Sequence, residues 1–170
     1  MTLVDYTTIE AILTILEVQY SSTITSADQT LPIAYSKLSV LELGGWIEES
    51  VDTILINYID NKILSEECKN KTKEIINKNN SFEYGHLYHI FICALGVNNW
   101  ENIIDNVGNP NIALFAATCN SYKRPRNSAA HTYQLASTTS NYQAPSQVII
   151  DFRKIKPILQ SIEREVLNLI

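Results

Sequence analysis

The chain predicts an all-α bundle, and three observations carry that prediction. Glycine and proline number only five each in 170 residues, whereas ordinary chains use roughly 7% and 5%, and turn-rich sandwiches need more. Apolar residues recur at spacings of three and four along most of the length, the period of a helix with one buried face. Hydrophobic residues make up 45% of the chain, enough for one domain of this size to bury a core. About five or six helices are expected, with no significant sheet.

The first helix is expected from about Thr7 to Ser21, capped by Asp5 or Thr7, with Ile9, Ile12, Leu13 and Leu16 on one face. A polar loop, Ser22 to Thr30, follows. The second is long, about Ile33 to Asn61. Its buried stripe is Val40, Leu43, Ile47, Val51, Ile54 and Tyr58, beside a polar stripe of Glu42, Gly45, Glu49 and Asp52. Gly44-Gly45 within it costs about 1 kcal/mol per residue relative to Ala, so another helix is expected to approach closely there. A Lys/Glu-rich surface helix spans about Ser65 to Asn77.

Ser81 is placed as the cap of a fourth helix ending near Leu95, with Gly96 just beyond it. A fifth segment from Trp100 to about Tyr122 is interrupted at Gly108-Asn109-Pro110, and Pro125 is placed at the start of a new helix. The polar tract Ala136 to Ser146 reads as a loop. A terminal helix is expected from roughly Val148 to Ile170, with a break at Pro157.

Charge and cysteine usage exclude several classes. The net charge is −5 and the pI about 5.2, which rules out nucleic-acid binding by bulk electrostatics and requires a local basic patch. No run approaches 18 uncharged apolar residues, and the first twenty carry no basic cluster before an apolar run, so neither a membrane span nor a secretory signal is expected. Cys68, Cys93 and Cys119 are odd in number and far apart. They read as reduced thiols of a cytoplasmic protein.

One segment concentrates chemistry: Lys123-Arg124-Pro125-Arg126-Asn127-Ser128-Ala129-Ala130-His131. On a helix Asn127 and His131 share a face, while Arg126 lies about 140° round from His131. His131 supplies a proton donor or acceptor near neutral pH, and Arg126 a permanent charge for phosphate oxygens. Cleavage of a phosphodiester by its own 2′-hydroxyl, without a metal, needs that pair. Lys123 and Arg124 would hold the RNA backbone. Spacing alone is a weak signal, and a surface His on an ordinary helix is the plain alternative.

Two other constellations stand beside it. Glu42, Glu49 and Asp52 form a solvated acidic face, from which Glu42 or Glu49 could orient Arg126 or His131. His86, His89 and Cys93 recur on one helical face, with Cys119 as a fourth thiol, but no paired Cys motif accompanies them. Leu87, Ile90 and Phe91 around them read as core, and neither metal nor cofactor is expected.

Arg126-Asn127 through Ala130-His131 is similar to the Arg-x4–6-His motif of the HEPN superfamily. The stretch from Ser36 through Leu43-Gly44-Gly45-Trp46 to Asp52 resembles the first long helix of its RiboL-PSP-HEPN branch. So does the ending from Pro145-Ser146 to Leu159. The likeness covers about Ala34 to the C-terminus. It divides the chain into an accessory helix and loop, 1–30, and a HEPN-like helical domain, 31–170. It implies a metal-independent endoribonuclease with Arg126 and His131 catalytic and Asn127 beside them. It also implies a homodimer with a composite site and a toxin–antitoxin or antiphage-defence setting with a neutralising partner. The same fold also serves as a non-catalytic module that binds RNA, a nucleotide or a protein.

Overall fold

The computed structural model describes residues 2–79, 81–131 and 142–170. Among them the chain is helical with no strand: α1 Tyr6–Thr23, α2 Thr30–Lys62, α3 Glu66–Asn77, α4 Tyr84–Leu95, α5 Val97–Val107, α6 Asn109–His131 and α7 Pro145–Leu167. Seven helices replace the expected five or six. The breaks at Gly96 and Gly108 fall where the sequence places them, and their φ values of 82° and 92° are open to glycine and strained for other residues. The polar tract expected from Ala136 lies largely outside the described residues.

Asp5 caps α1, accepting hydrogen bonds from the Thr7 and Thr8 N–H groups. Ile9, Leu13 and Leu16 then face inward. The central element is α2, which touches α1, α3, α4, α6 and α7. Its stripe of Val40, Leu43, Ile47, Val51 and Ile54 is fully buried, as the spacing requires. Burying each such side chain contributes about 1.5–3 kcal/mol, which outweighs the low helix propensity of the glycine pair.

Ser81 does not cap α4. Its hydroxyl accepts from the Glu83 N–H at 3.2 Å, and the helix opens at Tyr84, whose N–H donates to the Asn120 side chain at 3.1 Å. Both prolines expected to mark helix boundaries lie inside helices. Pro125 is interior to α6 and Pro157 to α7. An internal proline costs about 3 kcal/mol, but each is bracketed by buried anchors, Tyr122 and Ala129 for one, Ile155 and Leu159 for the other. Tertiary packing therefore carries the helix through. Pro145 takes the first turn of α7, three residues before the expected start.

Trp46 is half-buried. Its ring stands edge-on to Tyr6 and Phe152 with centroids 5.8 and 5.0 Å away, and its indole N–H donates to the Asp5 carbonyl at 3.1 Å. Glu163 of α7 is 2% exposed and gathers the segment before α1. It accepts from the Leu3 N–H, the Val4 N–H and, at 2.8 Å, the Tyr6 hydroxyl. Burial and the facing carboxylate raise the Tyr6 pKa well above its ordinary value. Among the described residues no helix is long and apolar enough to cross a membrane.

Candidate functional site

Because α6 runs unbroken through Pro125, residues 126–131 all lie on one helix. Arg126 is thus anchored within the helix and held against α2. Its Nη2 reaches both oxygens of Glu48, at 3.1 and 3.3 Å. The guanidinium also sits over the Phe82 ring, 6.0 Å from the centroid.

Gly44 makes this possible. A methyl group there would stand 3.1 Å from Phe82 Cε1 and 3.2 Å from Arg126 Cγ, tighter than normal packing. The close approach expected at the glycine pair is therefore real at Gly44. Gly45 is different, since a methyl group there meets nothing within 4 Å.

The carboxylate that grips Arg126 is Glu48, not Glu42 or Glu49. Glu48 is the residue sequence reasoning missed. The available signal was its place in Gly44, Glu48, Asp52, a four-residue repeat on the flank of the buried stripe. Glu49 lines the same groove of 580 Å³ with Asp52, Asn77, Asn79 and Arg126, while Glu42 faces the other side, toward α1.

The groove is acidic. Burial pushes the Asp52 carboxyl up to about 6, aided by the charges of Glu48 and Glu49. Burial also raises Glu48, though Arg126 opposes the shift. Among the described residues only Nη2 is engaged, by Glu48, which leaves the Nε–H and Nη1 donors of Arg126 for a ligand oxygen.

Asn127 and His131 are exposed on the outer face of α6. Ser128 between them approaches the Tyr142 hydroxyl at 3.5 Å. Lys123 is taken up by an ion pair with Glu83, which holds the Glu83 carboxyl below the usual range. Arg124 is exposed beside it. The basic spot thus offers one outward cation from the pair Lys123 and Arg124.

His89 and Cys93 touch, with Nε2 to Sγ at 3.5 Å, while His86 leans toward Glu83 at 3.8 Å. Cys119 is in the core and does not join them, and burial pushes its thiol up to about 12. Among the described residues no group of three or more His, Cys, Asp or Glu side chains is arranged to hold a metal ion.

Comparison with protein-family models, curated proteins and solved structures finds no match. The HEPN resemblance therefore rests on the quoted motif and helix segments alone.

Proposed function

We propose that the protein is a metal-independent endoribonuclease of the HEPN type. The observation that best supports this is the placement of Arg126, Asn127 and His131 on one continuous helix, with the arginine pre-set by Glu48 and the histidine open to solvent. Pre-setting a charged group removes part of the entropy lost on engaging a transition state.

In the proposed reaction His131 takes the proton from a ribose 2′-hydroxyl. The 2′-oxygen attacks the adjacent phosphorus, and the bond to the 5′-oxygen breaks. That oxygen leaves with a proton supplied by a second His131, brought by a two-fold related chain. Arg126 offsets the charge on the phosphorane, Asn127 orients the pair, and Arg124 holds the flanking backbone, Lys123 being engaged by Glu83. The products are a 2′,3′-cyclic phosphate and a 5′-hydroxyl. Phosphate approaches along the exposed face of α6, because the groove behind Arg126 is lined by carboxylates.

Purified protein should cleave single-stranded RNA in excess EDTA, and His131→Ala should slow cleavage by about 10²–10⁴-fold. Strict Mg²⁺ dependence would sink the mechanism. The acidic groove favours one second reading, a non-catalytic module of the same fold that binds a protein partner. Absence of cleavage in wild type and His131→Ala alike, with both folded, would favour that reading.

A further inference from the structure

A second groove, of 630 Å³, lies between α1 and α2. Its floor is apolar, formed by Ile9, Ile12, Leu38, Leu41 and Trp46. Leu38 remains 41% exposed, so these side chains are not fully covered by the chain itself. Its ionisable lining residues are Asp5, Glu42 and Glu49, with no lysine or arginine among the lining residues. Asp5 is occupied as the α1 cap. Glu42 and Glu49 make no ion pair among the described residues, although Glu10, on the other side of α1, holds both Arg153 and Lys156.

Gly45 sits in this groove. A glycine inside a helix costs about 1 kcal/mol relative to Ala, and Gly44 recovers it by admitting Phe82 and the Arg126 stem. Among the described residues Gly45 recovers nothing, because a side chain there would enter open space. What its missing side chain leaves is a low point on the groove wall. Gly45, Glu49 and Thr53 also line the groove of Arg126. The two grooves therefore adjoin across Gly45 and together make a passage along α2, apolar at the α1 end and acidic at the Arg126 end.

We propose that this passage is the docking site of a partner protein's amphipathic helix, apolar on one face and lysine- or arginine-rich on its flank. Two antiparallel helices with an apolar seam accept a third helix through residues spaced three and four apart. The charge of the rim selects its flank. A second copy of this chain fits poorly, because a two-fold contact here sets one acidic rim against the other. The bound helix places its cations beside Glu42 and Glu49, and over Gly45 it reaches the carboxylates around Arg126. Docking would then hinder cleavage from behind, its cations competing with Arg126 for the Glu48 carboxylate that seats the arginine. That last consequence rests on the ribonuclease reading, whereas the docking itself does not.

The test uses the full chain and a fluorescent synthetic helical peptide, leucine along one face and lysine along the other, with a glutamate-for-lysine peptide as control. The lysine peptide should bind. Gly45→Leu, which fills the passage, should weaken it about tenfold or more. The Glu42→Gln/Glu49→Gln double variant should weaken it about three- to tenfold, and added salt should narrow that difference. Gly45→Leu is checked for folding by thermal melting. If it does not fold, the surface double variant decides alone.

Equal affinity in wild type and the variants, or equal binding of the glutamate peptide, overturns the proposal. So does sedimentation showing that Gly45→Leu converts a wild-type dimer to a monomer, which would make a second copy the occupant. If wild type cleaves no RNA but binds the peptide in a Gly45-dependent way, the docking site stands and the ribonuclease falls. If cleavage proceeds undiminished at saturating peptide, docking stands and its link to Arg126 is wrong.

Discussion

At the scale of single residues, Arg126 depends on three neighbours with separate tasks: Glu48 binds its charge, Phe82 supports its plane, and Gly44 leaves room for its stem. The last is the most specific to test. Gly44→Ala removes helical strain but sets a methyl against the arginine stem, so the two effects should separate. Stability should change by less than about 1 kcal/mol, while cleavage should fall by about tenfold or more as the guanidinium shifts. Unchanged cleavage, with RNA as substrate and melting as control, would mean the arginine needs no such seat.

Asp52 offers a second test at this scale. Its folded pKa, pushed up to about 6, lies above the ordinary carboxylate value of about 3.9. The folded state therefore holds this proton more tightly than the unfolded state. The resulting stability is fully present below pH 4 and is lost as pH rises through about 6. Asp52→Asn should then raise stability at pH 7.5 by about 1 kcal/mol, a figure discounted for solvent screening of a half-exposed group. That corresponds to about 2–4 °C in melting temperature, and the gain should vanish near pH 4. A gain of equal size at both pH values would point to packing and not to charge.

At the scale of elements, the apolar periodicity marks out α1 and α2 well, and the Lys/Glu-rich composition α3, with ends displaced by a few residues. Every expected member of the α2 stripe is buried because each sits at helical spacing, while Leu55 and Ile59, equally buried, fall outside the expected set. The prolines misled for a physical reason. A sequence shows their local cost, whereas the offsetting burial of Tyr122, Ala129, Ile155 and Leu159 comes from other helices. Arg126 and His131 could be picked out because Arg and His carry distinctive chemistry. Glu48 is marked only by its four-residue spacing from Gly44 and Asp52, which shows a flank of α2 but no partner until α6 is laid against it. The α7–N-terminus contact was equally hidden. Glu163→Ala leaves the Leu3 and Val4 N–H groups and the Tyr6 hydroxyl without their acceptor, and should cost about 2–4 kcal/mol. Hydrogen exchange should show the first residues of α1 opening before α2. Exchange that rises evenly over the molecule would instead assign Glu163 a general packing role.

For the whole molecule, charge frames the proposed activity. A chain of net charge −5, with Lys123 already bound to Glu83, would meet RNA through few cations, so any affinity for RNA should fall only gently with salt. One helix carries one Arg126 and one His131, and the proposed reaction uses two histidines, which is why a pair of chains is proposed. Mixed dimers of wild type with the Arg126→Ala/His131→Ala double variant should be strongly impaired. Half the wild-type rate in such dimers would show that each chain carries a complete site.

The Glu163 clamp also orders events in time. Leu3 and Glu163 are separated by 160 positions, so on a ribosome adding about 5–20 residues per second the first helix waits many seconds for the residue that fastens it. During that interval the α1 face of α2, with Trp46, has no clamp to hold its cover in place. The partners of Arg126 come earlier, since Glu48 precedes it by 78 positions. The arginine seat can therefore form while the opening segment is still loose, and the clamp closes among the last contacts of folding.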